Sequence, residues 1–396
     1  MSALTALLAA MVEIDTTNPS LQPGAPGEAA LAHFLARRLG DAGLEVELWE
    51  VLPGRPNVVA RLRGAGRAAD SGRPEEAERP SRDERPPRSL MLCGHLDVVA
   101  ALSPEAFVPR VEDGRMYGRG AADMKAGLAA AVMAVEALVA SGDRLAGDLY
   151  VAGLVDEEWK SAGAAALPAR YRPDAAVMVE CTGLDVVTEH GGFVWFDVES
   201  LGVEAAGDDT ARGVDGISLL APVLDGIRRL DADLAVRPHA DYGRGSIHSS
   251  TIAGGDQYPV YPARCVLGVE RCLTAGESVA QAEAEMRALL DAARAADARF
   301  SGSLTTVVGR DPVQLDAAEP LVAALASAAT SALGRPAVLR GDMGWMDSGL
   351  LVEAGIPCAV FGPRGHGEHT ADEWVDLTSI KVCAEALESA ARDFCG

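Results

Sequence analysis

The sequence predicts a mixed α/β protein whose larger part carries a mainly parallel sheet, with a smaller α+β part of four strands and two helices inserted into it. Three observations carry this. Strand-length apolar runs alternate with helical stretches through the first half of the chain. Near Phe193 the rhythm changes to strand–helix–strand–strand–helix–strand, and from about Asp311 the first rhythm resumes. At 396 residues the chain is long for one domain. Residues 1–192 and 309–396 are therefore expected to form the larger domain, and 193–308 the inserted one.

The opening "MSALTALLAAMVEIDTTNPS" has a short apolar stretch, no basic lead and an interruption at Glu13 and Asp15, so it reads as an amphipathic helix and not a signal peptide. "EAALAHFLARRLGDAG" is a helix ending at Gly43, followed by strand-like "LEVELWEV". "NVVARL" and "SLMLCGHLD" read as strands, separated by residues 64–88, a stretch of charge, Pro, Gly and Ala expected to be a solvated, flexible insertion. Helical "DMKAGLAAAVMAVEALVASG" precedes the strands "GDLYVAGLV" and "AAVMVEC", giving a sheet covered by helices on both faces. In the smaller part, "FVWFDVESLG" alternates like an antiparallel strand. The helix "GISLLAPVLDGIRRLDADL", strands "SIHSSTIAGG" and "ARCVLGVERCL", helix "SVAQAEAEMRALLDAARAA" and closing strand "GSLTTVVG" follow. The large domain then resumes with helix "EPLVAALASAATSALG" and strand "PCAVFG".

The formal charge of −23 argues against nucleic acid or an anionic membrane as partner, because both need a basic face. No run approaches the ~18 apolar residues that span a bilayer. Seven cysteines without a C-x-x-C pair, several inside apolar runs, read as reduced thiols of a cytoplasmic protein.

In open α/β sheets reactive groups gather at the carboxyl ends of strands. "GHLDVV" delivers His95 and Asp97, two residues apart on one side of an extended segment. "GRGAADMKAG" delivers Asp123 at a helix start, "VMVECTG" Glu180, and "FGPRGHGEHTADEWV" His366 and His369. "GLVDEEWKSAG" puts Asp156, Glu157 and Glu158 in a row, which solvent, an arginine cluster or a metal could neutralise. Each feature has a plainer reading alone: Asp123 could be a helix cap, and "GRGAAD" is a near miss to a dinucleotide loop. Five strand ends offering His or carboxylate are hard to obtain by capping. Two His and three carboxylates form the mixed set that suits Zn²⁺, and two ions about 3.5–4 Å apart can share a carboxylate.

With these motifs in order from residue 92 to 375, the chain resembles the dinuclear zinc amidohydrolases that include acetylornithine deacetylase, succinyl-diaminopimelate desuccinylase, aminoacylase and glutamate carboxypeptidase. The resemblance implies that His95 and Glu180 bind one Zn²⁺, Glu158 and His369 the other, and that Asp123 bridges them. Co²⁺ or Mn²⁺ are the possible substitutes. Asp97 would orient His95, raising its basicity. Glu157 would be the general base that takes a proton from water and passes it to the departing amine. Asp156 would be structural support. The smaller domain would act as a lid and dimerisation domain, giving a homodimer.

Relatives carry a lid histidine that stabilises the oxyanion; here "VEAAGDDTARGVDGI" places Ala206 at that position, and alanine has no donor. Three explanations are open: slow hydrolysis or an activated substrate, a substitute donor such as His248 or His239, or a metal site used for binding or another reaction. Losing one oxyanion donor costs about 10²–10³ in rate. Pro259 stands where many relatives have a substrate-contacting Asn. Arg271 matches a family Arg associated with the substrate α-carboxylate, with pairing to Glu270 or Glu277 as the alternative. The expected activity is hydrolysis of an amide next to a free carboxylate in a small N-acyl amino acid, as in acetylornithine deacetylase. Alternatives are a dipeptidase or carboxypeptidase, or a homologue used for binding or a non-hydrolytic biosynthetic step.

Overall fold

A computed structural model describes residues 2–66, 87–101, 103–239 and 242–396, so most of the expected flexible insertion lies outside the described residues. The chain divides into two compact units, Met1–Thr188 with Leu315–Arg340 and Leu350–Gly396, and Glu189–Gln314 with Gly341–Gly349.

The first unit opens with the amphipathic helix Ala3–Glu13, capped by the Ser2 side chain on the Thr5 N–H and burying Leu4, Leu7, Leu8 and Met11 along one face. The next helix, Ala29–Asp41, runs out at Gly43, whose φ of +92° suits a residue without a Cβ. An antiparallel hairpin, Glu45–Leu52 with Arg55–Leu62, edges the sheet and pairs antiparallel to Leu149–Leu154. Beyond it four neighbouring strands run parallel: Leu149–Leu154, Leu90–His95, Ala175–Met178 and Cys358–Val360. All four are buried from end to end, which is why they read as continuous apolar runs and not as alternations.

Because these strands run parallel, their carboxyl ends emerge at one edge of the sheet. Two glycines permit the crowding there. A Cβ at Gly127, in the helix Lys125–Ser141 that follows Asp123, would stand 1.7 Å from the Val179 carbonyl oxygen. One at Gly362 would stand 1.9 Å from that of Glu180. Substituting either residue pushes the segment carrying Glu180 off its neighbour.

The second unit holds a four-stranded antiparallel sheet in the order Ser246–Gly254, Arg264–Leu273, Gly192–Leu201, Ser301–Arg310. Alternate residues Val194, Phe196 and Val198 with Cys265, Leu267 and Val269 point into a core shared with Val223 and Ile227 of helix Ala221–Ala235, and with Met286 and Leu290 of helix Val279–Ala296. The order strand–helix–strand–strand–helix–strand is the one the sequence predicts.

Candidate metal centre

Asp123 stands between two histidines. His95, the last residue of its strand and 1 % exposed, places Nε2 at 2.9 Å from Asp123 Oδ1 and 3.6 Å from Glu180 Oε1. The other oxygen, Asp123 Oδ2, lies 3.1 Å from His369 Nε2, which is 3.0 Å from Glu158 Oε2. Two ligand triads result, His95–Asp123–Glu180 and Asp123–Glu158–His369, each with its ligand atoms within 4.8 Å of one another. Asp123 belongs to both through different oxygens. Glu157 borders the same space, forming a third such group with His95 and Glu158.

The donor chemistry fits two divalent cations: each triad offers one imidazole nitrogen and two carboxylates, a mixed set compatible with Zn²⁺, Co²⁺ or Mn²⁺. The charges agree with this. Burial opposes ionisation of Asp123, yet its hydrogen bonds to His369 and His95 hold the carboxyl well below its usual range. Hydrogen bonds to Asp123 and Glu158 raise His369 to about 10. Burial works to lower the His95 pKa, but Glu180 and Asp123 outweigh it and raise it well above the usual value. Protons thus occupy the imidazole positions that a cation would take.

The support behind the ligands differs in detail from expectation. His95 Nδ1 lies 2.9 Å from the Asp97 carbonyl oxygen and 3.7 Å from its carboxylate. A carbonyl only accepts, so Nδ1 carries a proton and Nε2 is turned to the triad. The Asp97 carboxylate instead accepts the backbone N–H groups of Glu157 and Glu158, both at 3.1 Å, and Asn18 Nδ2 at 2.7 Å. Burial, against the pull of His95, pushes this carboxyl up to about 7.

The three adjacent carboxylates of "DEE" have separate partners. Asp156, with φ of +73°, faces Arg55 at 3.0 Å, and accepts from Asn18 Nδ2 and Ser20 Oγ, both at 3.2 Å. Arg55 is itself locked on Glu28, Nε to Oε2 at 2.7 Å. Glu158 meets His369, and Glu157 turns to the triads. Arg55 therefore answers Asp156, and His369 answers Glu158.

Asn18, Arg55, Glu28 and Glu373 are supporting residues that the sequence reading missed. Asn18 sits in "DTTNPS" and Glu373 in "TADEW", inside the stretches read for the first helix and for His366 and His369, where neither residue stands out. His366 lies on the short strand Gly365–His366 against Trp374, 6.1 Å between rings, and belongs to neither triad.

In the second unit Arg271 is 1 % exposed, its guanidinium on Glu277 and, at 3.1 Å, on Glu285. The Glu277 partner is one of the two alternatives the sequence left open. His248 is exposed on its strand, 3.6 Å from Glu270, and His239 lies 3.1 Å from Glu189. Ala206 sits exposed in an isolated antiparallel bridge to Val260, closed by Ala205, which accepts from Tyr261 N at 2.8 Å, and Gly207, which donates to the Pro259 carbonyl at 2.8 Å.

A parallel-sheet unit with two His–carboxylate triads sharing Asp123 near its strand ends defines the class: an α/β protein with a candidate two-cation centre. The model of Peptidase family M20/M25/M40 matches residues 91–393, and the chain belongs to that family, whose relatives hydrolyse amide bonds. It is 24 % identical over 407 residues to the N-formyl-4-amino-5-aminomethyl-2-methylpyrimidine deformylase of Bacillus subtilis, covering 93 % of this chain and 91 % of that protein. Acetylornithine deacetylase of Salmonella arizonae is 27 % identical, over 98 % of this chain and 96 % of its own. In fold, the chain matches a tripeptidase from Staphylococcus aureus with a TM-score of 0.78 at 18 % identity, covering 99 % and 98 % of the two chains. It also matches a dinuclear metal-binding M20 peptidase of Bacillus subtilis with a TM-score of 0.71 at 14 % identity, covering 99 % and 97 %.

Proposed function

We propose that the chain removes a small acyl group from the nitrogen of an N-acylated amine or amino acid, using two Zn²⁺ ions. The observation that carries this is Asp123 shared between two triads with Glu157 bordering the same space. The small acyl group is supported by two relatives named for removing a formyl and an acetyl group. His95 and Glu180 would hold one cation and Glu158 and His369 the other, with Asp123 available to both through its two carboxylate oxygens. When bound, the cations polarise the acyl carbonyl and lower the pKa of water toward ~7. Glu157 takes the proton of the attacking water on a carboxylate oxygen and delivers it to the leaving nitrogen as the C–N bond breaks. Asp97 holds the Glu157–Glu158 turn against His95, so base and ligand keep their places.

Arg271 is structural in this reading, because its guanidinium is already engaged by Glu277 and Glu285. Ala206 favours a second reading, binding or non-hydrolytic chemistry, since no donor stands at the position of the family's lid histidine. The chain is further proposed to be cytoplasmic and a homodimer through its second unit. That all seven cysteines stand outside any disulfide supports the first, and no helix among the described residues is long and apolar enough to cross a membrane.

The test is a zinc-loaded preparation assayed on N-formyl and N-acetyl amines, N-acetyl amino acids and dipeptides. Faster turnover of the small-acyl amides supports the proposal, and preference for dipeptides replaces it with a peptidase. No turnover with two metals bound overturns hydrolysis in favour of the second reading.

A further inference from the structure

The loop carrying Asp123 is held by one buried carboxylate. Glu373, 2 % exposed, accepts the backbone N–H of Gly120 on Oε2 at 2.9 Å. Its Oε1 accepts those of Ala122 at 2.9 Å and Asp123 at 3.1 Å. Three amides converging on one side chain fix the direction in which the Asp123 carboxylate leaves the backbone. Burying such a charge is costly unless it is paired, and Arg119, 5 % exposed, supplies the partner with Nη1 at 2.6 Å from Oε2.

The same guanidinium reaches the other ligand loop. Arg119 Nη2 donates to the carbonyl of Thr370 at 3.2 Å, the residue directly after His369. His369 has a φ of +62°, a left-handed conformation that is uncommon for residues other than glycine, though histidine is among those that adopt it more often. Thr370 closes that turn from within, its N–H donating to the Gly367 carbonyl at 3.0 Å and its Oγ1 at 2.8 Å. One ion pair thus joins the backbone on either side of the Asp123–His369 contact.

We propose that Arg119 and Glu373 are positioning residues that set the spacing between Asp123 and His369, and so the affinity with which the triad Asp123–Glu158–His369 takes its cation. The inference rests on the two-cation reading above, not on the identity of the substrate. A pair serving only to stabilise the fold would leave a folded variant with unaltered metal binding. A positioning pair would not.

The experiment is titration of the full-length, metal-stripped chain with Co²⁺, read by its visible absorption and by competition with a chelator, for wild type, Arg119→Lys and Glu373→Gln. Arg119→Lys keeps the charge but loses the two-pronged reach to Glu373 and Thr370. Glu373→Gln puts an N–H₂ group where Oε2 accepts. Folding is checked by circular dichroism. The expected result is that the equivalent taken by the triad Asp123–Glu158–His369 weakens about 10–100-fold, more than the one taken by His95–Asp123–Glu180, with a shifted two-cobalt spectrum. A folded variant that reproduces the wild-type titration and spectrum overturns the proposal, and if Glu373→Gln does not fold, Arg119→Lys decides alone. A wild type that binds a single equivalent overturns it together with the two-cation reading. No substrate is present, so failure of the proposed hydrolysis registers separately, in the turnover assay.

Discussion

The carboxylate of Asp97 accepts the backbone N–H of Glu158 at 3.1 Å, so a side chain from the end of one parallel strand fixes the turn at the end of its neighbour. The same carboxylate takes the N–H of Glu157. Asp97→Ala removes both acceptors and leaves Asn18 without its shorter bond. The expected effect is a loss of about 10–100-fold in metal affinity, because outer-shell support of this kind is worth that much. Isothermal titration of the metal-stripped variant checks it; unchanged affinity would mean that the turn holds itself.

Metal binding is expected to strengthen as pH rises. His369 is raised to about 10 by Asp123 and Glu158, and His95 is raised as well, so each cation must displace a proton at neutral pH. The sign follows: raising the pH removes the competing proton, and apparent affinity gains about tenfold per pH unit for each proton displaced. The gain for the His369 triad continues until pH nears 10. Affinities measured from pH 6 to 8, with proton release read from buffers of different ionisation enthalpy, test this.

Arg271 is expected to act on stability and not on substrate. Removing one member of a buried ion-pair cluster leaves its partners uncompensated, which costs about 3–5 kcal/mol. Arg271→Ala should lower the unfolding free energy by that amount, read from denaturant titration, while the folded protein keeps its metal titration and KM. A rise in KM without loss of stability would restore the substrate-carboxylate role.

Ala206→His tests whether the missing donor limits the rate. An oxyanion donor is worth about 10²–10³. An increase in kcat of tenfold or more, with metal content unchanged, is expected. An unchanged kcat would show that another group already supplies the hydrogen bond.

What could be read from the sequence follows from what leaves a pattern in it. The fully apolar runs ending in His95 and before Glu180 mark parallel strands buried on both faces, and the polar residues at their ends fall at the sheet edge where such folds place chemistry. The structure brings His95, Asp123, Glu158, Glu180 and His369 together there. The supports leave no such trace. Asn18 reaches Asp97 across 79 residues and Glu373 reaches the Asp123 amide across 250, through hydrogen bonds that need no periodicity in the sequence. Arg271 shows the converse limit: sequence displays a charge among acidic neighbours, but only packing reveals that its guanidinium is enclosed. The second unit also takes in Gly341–Gly349, a return of the chain that no change of composition announces.

The central claim is that Glu157 moves the proton while its neighbours hold the cations. The most direct measurement compares wild type with Glu157→Gln, both loaded with zinc, for metal content and for kcat on the best N-acyl substrate. Two equivalents of metal are expected in each, with a kcat lower by about 10²–10⁴ in the variant, the usual worth of a positioned general base. Equal turnover by the two proteins at equal metal content would contradict it.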